Sequence, residues 1–493
     1  MVPVPELANR RTALGSSSSI HRTSFTEWSA NVGTYRPTLL RLLSLAAALA
    51  AFLVTAASSD AQTAGSPAST QAPGPVAQPA LPPIPNRLNT VLPAWIRVRG
   101  EFRGRAEGFE GLGFSAGRDD AYWLNRFRFN VTVAPRQNFS FQVQTQDARV
   151  VKKELGPTGA PFKATLDLRM AFADFGGAKS RAILRIGRQE LAFGEQRLVG
   201  HVSWLNAART FDGARLTIKS AGLTVDAFAA SVVRILDREF DKSGAGNRFA
   251  GAYATTAKVV PGASLEPYVF VRRDLNQRLE AGTFGKLMVT TAGARLAGKL
   301  PAGFDYGVES AFQTGSIGTD DVQAWAGHYQ VRTPAGSHGM RALTEFNYAS
   351  GDRDPADGSR GTFDQLYPTP HDKYGLADQV GWKNIRHVRV GFDIAPRKGW
   401  PVNIGYQNWW LAEARDGLYS AGGALVARVT AGASSLHVGQ ELDVQLTRAV
   451  TPQLSVAAGY AHIFSGPFLK QATPGASYSL PFAMVTYVFL AER

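Results

Sequence analysis

Between Arg185 and Leu216 the chain reads RIGRQELAFGEQRLVGHVSWLNAARTFDGARL, and arginine is the residue there with the most chemistry to offer. Arg185, Arg188, Arg197, Arg209 and Arg215, with Arg181 just upstream, are interleaved with Glu190, Glu195 and Asp212. A guanidinium is a planar fork that pairs with a carboxylate through two hydrogen bonds and keeps its charge. The chemistry implied is recognition of acidic groups rather than bond making. The same arginines can instead brace neighbouring Glu and Asp, and exposed pairs of that kind are individually weak.

Other constellations offer less. Asp352, Asp354 and Asp357, with Gly358 and Gly361, resemble an oxygen-ligand loop for Ca²⁺. The set lacks the bidentate Glu of an EF-hand, so a solvated acidic turn is the plainer reading. His371 stands alone between Pro370 and Asp372, which suits loop packing. Trp204, Trp382, Trp409 and Trp410 can stack on sugar rings, although barrels more often use Trp as a membrane-interface anchor. The chain has no cysteine, which excludes a disulfide scaffold, a thiolate metal site and a Cys nucleophile. HExxH does not occur. No catalytic centre is expected, and no cofactor beyond that weak Ca²⁺ candidate.

The elements that must carry these charges alternate with period two. From Trp95, odd positions Arg97, Arg99, Glu101, Arg103, Arg105 and Glu107 are charged, and even positions Ile96, Val98, Gly100, Phe102, Gly104 and Ala106 are apolar or small. In a strand these sets face opposite ways, one towards lipid and one towards water. Phe139, Phe141 and Val143 alternate with Ser140, Gln142, Gln144 and Gln146. Leu166, Leu168, Met170 and Phe172 alternate with Asp167 and Arg169, and Tyr306, Val308 and Phe312 with Asp305, Glu309 and Gln313. Val438, Leu442, Val444 and Leu446 alternate with His437, Glu441, Asp443, Gln445 and Thr447. Around Phe127 and Phe129 the polar partners are Arg126, Arg128 and Asn130, while Asn125 falls on the apolar side.

Turn signals separate these runs: Pro135 to Asn138, Gly176-Gly177, Pro301 to Gly303, Pro396 to Gly399 and Pro452. Fifty glycines, 28 Phe, 14 Tyr and 9 Trp fit many turns and aromatic girdles. Membrane strands take about 9–11 residues, and the residues from 95 to 493 accommodate about eighteen of them with their loops. The expectation is an all-β, transmembrane, antiparallel up-and-down β-barrel, wide enough for an aqueous channel. Its closing strand is the run from Phe482 to Leu490, with Tyr487 and Phe489 on one face.

Ahead of the barrel, residues 42–57 are the only long apolar run, too short for a membrane helix and right for a signal-peptide core. Small residues at Ser59 and Ala61 place cleavage before Gln62, so residues 1–61 read as a leader. Residues 62–94 are rich in Pro, Ala, Ser and Thr, a spacer unable to bury a core; a docking tail for a periplasmic partner is the functional alternative. The net charge of +14 suits anionic lipid, an acidic solute or nucleic acid. An outer-membrane barrel leaves the first two as partners.

Three blocks resemble the alginate-export family of outer-membrane barrels. One is GRQELAFGEQRLVG followed by WLNAARTFDGARL. Another is residues 346–386, FNYASGDRDPADGSRGTFDQLYPTPHDKYGLADQVGWKNIR. The third joins Trp409-Trp410, the run Asp416 to Tyr419, the run Val438 to Asp443, and Gly459-Tyr460. The resemblance implies a barrel in the outer membrane of a Gram-negative bacterium, through which an anionic polysaccharide diffuses from the periplasm, with periplasmic secretion components as possible partners. It also implies a lumen lined by basic residues and a few acids. At the matching blocks these are Arg185, Arg188, Arg197, Arg209 and Arg215, with Glu190, Asp212, Glu441 and Asp443. Alternation adds Arg97, Arg99, Arg103, Arg105, Arg126, Arg128 and Arg169.

The leading expectation is a passive channel for an anionic polysaccharide such as alginate, or a general anion-selective porin for small acidic solutes. An outer-membrane lipid or polysaccharide hydrolase is the enzymatic alternative, and hydrolysis by the pure protein would favour it. A structural barrel with a plugged lumen is the third, and absent conductance would favour that.

Overall fold

The computed structural model describes residues 87–279 and 283–490. The expected leader and most of the expected spacer lie outside the described residues. The end of the spacer, Arg87–Val91, is a short helix, α1.

Eighteen long antiparallel strands close into a barrel. In chain order they are β1 (Ile96–Phe109), β2 (Asp120–Arg136), β3 (Phe139–Val151), β4 (Ala164–Phe175), β5 (Ala182–Gln189) and β6 (Phe211–Ser220). Then come β7 (Leu223–Arg234), β8 (Lys242–Thr256), β9 (Ala263–Arg278), β10 (Phe284–Lys299), β11 (Asp305–Ile317) and β12 (Asp320–Arg332). The rest are β13 (Arg341–Ala349), β14 (Ile385–Ile394), β15 (Val402–Leu411), β16 (His437–Ala449), β17 (Leu454–Ser465) and β18 (Tyr478–Phe489). Each pairs with its neighbours in sequence, and β18 pairs with β1 from Gly100↔Phe489 to Glu107↔Phe482. Closure leaves no long edge exposed to lipid.

Where β18 stops, α1 takes over. Asn89 donates to the Val98 carbonyl and accepts from the Val98 amide, both at 2.9 Å. The side chain supplies the pairing that β1 would otherwise lack at its first residues.

The faces follow the alternation. Phe102, Phe127, Phe141, Phe312, Leu442 and Val444 are exposed, while Arg103, Arg105, Gln144, Glu309, Glu441 and Asp443 are buried. Asn125 shares the outward face and accepts from the Trp123 ring N–H at 2.5 Å, which accounts for that exception. The expected alternation in β4 needs correction. The register slips between Gln144 and Thr145, so Leu166 and Leu168 face out but Met170 and Phe172 are buried. A slip of one residue exchanges the faces beyond it. Val438, expected beside Leu442 and Val444, is likewise buried, next to the register shift opposite Trp409.

The two rims differ. Every expected turn signal falls on one rim, where connections are as short as 137–138 and 221–222. The other rim carries the long connections 190–210, 350–384 and 412–436. The lumen is not the bare aqueous channel that strand number suggests. Segments of the first two loops turn inward and pack Leu191, Phe193, Leu198, Phe363, Tyr367 and Tyr374 against the inner wall.

Candidate functional site

The inner wall has a guanidinium-rich sector and an aromatic sector, and the inward loops lie between them. In β1 and β2 the register sets Arg103 directly across from Arg126. Like charges so placed repel. Glu101 offsets part of this, bonding Arg126 at 2.6 Å, and Arg105 pairs with Glu107 at 2.8 Å. Backbone carbonyls of the 190–210 loop supply the rest. Arg103 donates to the carbonyls of Ser203 at 2.9 Å and Leu205 at 3.1 Å. Arg126 reaches the same two at 2.9 and 3.1 Å, and Arg105 reaches Trp204 at 2.7 Å. Arg128 bonds Gln146 at 2.8 Å, and Arg169 bonds Gln144 and Glu190. Buried donors remain without a hydrogen-bond partner at Arg126 Nε, Arg128 Nη2 and Arg169 Nε. The sector thus holds more guanidinium charge than its carboxylates balance.

The arginines of the central block are more evenly matched. Arg185 forks onto Asp174 at 2.7 and 2.8 Å and lies 3.9 Å from the Phe172 ring centroid. Arg188 forks onto Asp212 at 2.7 and 3.0 Å, and Arg215 bonds Asp226 at 2.8 Å. Each pair joins neighbouring strands, as a brace does. Arg197 and Arg209 are on the inward loop instead. Arg197 meets Glu345 at 2.9 Å and Glu195 at 3.4 Å. Arg209 donates to Gly200 at 3.2 Å and Pro368 at 3.0 Å, and burial lowers its pKa to about 10, still charged at neutral pH.

Glu195 is the loop's anchor on the far wall. It accepts from Arg295 at 2.8 Å and from Gln330 at 2.9 Å. Burial pushes its carboxyl upward, but Arg197, His328 and Arg295 outweigh that and hold it at about 2. The 350–384 loop is anchored similarly. Asp364 accepts from Arg272 at 2.7 Å; burial raises it, but Arg272 and Lys383 hold it below the usual range. Glu441 accepts from the Ala377 amide at 3.1 Å, and Asp443 from Gln407 at 2.9 Å.

The aromatic sector is Phe228, Phe249, Tyr253, Tyr268 and Phe270 of β7 to β9. Phe193 stacks on Tyr253 with centroids 4.9 Å apart, and Tyr367 meets Phe249 edge-on at 4.9 Å. These rings seat both loops and were not picked out by alternation. Arg272, Arg295 and Glu345 were missed too, although Arg295 lies two positions from Gly293 and four from Thr291 on the inner face of β10.

Several sequence candidates sit apart from this region. Arg97 and Arg99 lie near the short-turn rim, Arg97 bonding the carbonyls of Pro93 at 3.2 Å and Ile96 at 2.8 Å. Asp352, Asp354 and Asp357 diverge: Asp352 faces Arg360 at 3.8 Å, Asp354 faces Arg415 at 3.5 Å, and Asp357 caps the Ser359 amide at 2.8 Å. Among the described residues no group of three such side chains is placed to hold a metal ion. The acid that organises this region is Asp416, fully buried. It accepts from the Asp352 amide at 2.9 Å, the Thr362 hydroxyl at 2.6 Å and the Tyr419 hydroxyl at 2.7 Å, tying two long loops together. Trp382 and Trp409, expected at the membrane interface, are instead fully buried inside. Trp204 lies on the inward loop, at the edge of a recess also lined by Val202, Arg209, Pro368 and His371.

The family model described as alginate export matches residues 94–482. No curated protein matches the chain. Three solved Pseudomonas aeruginosa structures share its fold at low identity. OpdO is 14% identical with a TM-score of 0.56, over 80% of this chain and 98% of that one. OpdK, solved with vanillate, is 13% identical with a TM-score of 0.55, over 79% and 98%. OccK2 (OpdF), in complex with glucuronate, is 12% identical with a TM-score of 0.54, over 80% and 98%.

Proposed function

The chain belongs to the alginate-export family and is an outer-membrane β-barrel channel, and from that premise we propose that it passes an anionic polysaccharide, such as alginate, by diffusion along its arginine-rich inner wall. The observation that carries this reading is the imbalance in the β1–β4 sector. Arg103, Arg105, Arg126, Arg128 and Arg169 outnumber the carboxylates of the same sector, Glu101, Glu107, Glu190 and the buried Asp167, and guanidinium donors remain open there. A carboxylate-bearing chain fits donors of that kind, because each contact is charge-assisted and planar. In a hydrated path each stays weak enough for the chain to step onward.

A second reading has its own support. Segments of the two loops pack against the inner wall, which narrows the path and favours small acidic solutes over a polymer. OpdK and OccK2, of the same fold, were solved with vanillate and glucuronate.

Single pores in a planar bilayer separate the two. Under a salt gradient the reversal potential should have the anion-selective sign, and polyuronate oligomers should block the current transiently. Block by glucuronate with none by the oligomers would select the small-solute reading. A cation-selective pore would remove both.

A further inference from the structure

The short-turn rim carries an uncompensated basic charge that the lumen does not account for. None of the short turns contains an Asp or Glu, yet Lys179, Arg181, Lys258, Arg397 and Lys398 lie within them, and Arg136 stands at the lip of another. All six are exposed, and none has a carboxylate partner among the described residues. They are spread over turns of β2–β3, β4–β5, β8–β9 and β14–β15, so they surround the mouth rather than mark one side. The long-loop rim differs. It carries Asp320, Asp321, Asp354 and Asp357 among its bases, and some of these pair, as Arg415 with Asp354 and Arg353 with Glu413, while Arg118, Lys152 and Lys470 are exposed without a carboxylate partner among the described residues, so its charge is mixed rather than of one sign.

In outer-membrane barrels the short turns face the periplasm and the longer loops face outward. We infer that the short-turn rim is a capture collar for a polyanion arriving from the periplasm, and that it gives passage an outward bias in encounter. The inference rests on the proposed anionic cargo and adds a surface and a side of entry. A ring of fixed like charge raises the local concentration of an oppositely charged chain and speeds encounter from any direction of approach. Flexible Lys and Arg on turns hold no one geometry, which suits successive contacts with a repeating carboxylate. Inside the mouth, Arg99 is exposed on β1, one inward-facing position pair below the Arg103 and Arg105 sector. The collar therefore leads into the sector that holds excess guanidinium. A monomeric acid, touching one or two of these charges, gains much less from the ring than a chain that spans several.

The test uses oriented single pores of the full-length mature protein, with polyuronate oligomers of defined length added to one side at a time. From the short-turn side, a variant with all six positions changed to Gln should lose about tenfold or more in blocking rate at low salt, in line with electrostatic steering. Its block duration, its reversal potential and its blocking rate from the long-loop side should stay as in the wild type. Glucuronate alone should show a smaller loss. In the unsubstituted protein, blocking rate should fall more steeply with salt from the short-turn side than from the other, which gives a reading independent of the variant. Equal salt dependence from both sides, or an unchanged rate in the variant, would overturn the collar while an anion-selective reversal potential left the channel reading standing. No oligomer block from either side, in a pore without anion selectivity, would remove the collar together with the reading beneath it.

Discussion

Trp204 and His371 stack face to face, with ring centroids 3.8 Å apart and planes 6° from parallel. The Arg105 guanidinium lies 3.8 Å from the same indole centroid, so the ring is clamped between wall and loop. Asp378 completes the line, 2.9 Å from His371 Nδ1. One residue of the 190–210 loop thereby ties the guanidinium-rich wall to the 350–384 loop. The two inward loops are coupled through it.

Replacing Trp204 with Ala should loosen both loops at once. The cation–π contact contributes about 0.5–2 kcal/mol, depending on desolvation, and the stacked ring adds buried area. That is small beside barrel closure, so heat-modifiable gel mobility should shift little. Single-channel conductance should rise and become noisier, because the loops spend less time packed in the lumen. Conductance and noise matching the wild type would mean that Trp204 does not hold the loops in.

How far these contacts were legible in the sequence depends on which rule governed them. Period two in β1 separated Arg103 and Arg105 from Phe102 correctly, because one face meets lipid and the other meets charge. It failed at Met170 and Phe172, since a register slip leaves no mark in the residue types. It could not reveal the aromatic sector either. In β7 both Asp226 and Phe228 are inward, so the inner face is mixed and the alternation vanishes. The five turn signals were legible because Gly and Pro answer to local backbone geometry. The anchoring of Glu195 to Arg295, across a hundred residues, answers only to the closed barrel.

The closing seam depends on a glycine. A Cβ at Gly100 would lie 1.8 Å from Phe489 Cζ, and the Phe489 ring in turn stacks on Phe127 at 5.8 Å. Gly100→Val should push that ring off its neighbour, with a cost of about 1–3 kcal/mol as for other overpacked sites. The temperature at which SDS unfolds the barrel should fall. Adding Phe489→Ala should restore part of the loss relative to the Gly100→Val single variant. If the double variant is less stable than that single variant, the seam is not limited by this contact.

Loop docking should weaken in acid through Glu195. Its carboxyl sits at about 2 in the packed state, against 4.5 for the free group. A depressed carboxyl stabilises the packed loop above the free value and loses that contribution as pH falls towards the packed one. The groups facing it are Arg197, Arg295, His328 and Lys373. Protease cleavage within residues 190–210 should therefore stay constant from neutral pH down to about 5 and rise between about 4.5 and 2. Glu195→Gln should raise cleavage at neutral pH and flatten the acid limb. An acid limb of unchanged slope in that variant would assign the transition to another group.

Anion selectivity should be carried by the β1–β4 sector rather than by the arginines of the central block. Arg188 and Asp212 form a matched fork on adjoining strands, so their fields largely cancel a few ångströms into the lumen. Removing both charges, as Arg188→Gln with Asp212→Asn, subtracts nothing from the net field and should leave the reversal potential near its wild-type value. Arg128 differs: it bonds only the neutral Gln146 and keeps Nη2 without a hydrogen-bond partner. Arg128→Gln removes charge that no carboxylate offsets directly, so it should move the reversal potential towards cations. The shift should be largest at low ionic strength and shrink near 1 M salt, where the Debye length is about 3 Å. Conductance should persist in both variants, since neither touches strand pairing. If the paired variant lost selectivity and Arg128→Gln kept it, the central-block arginines, and not those of β1–β4, would be the ones the solute meets.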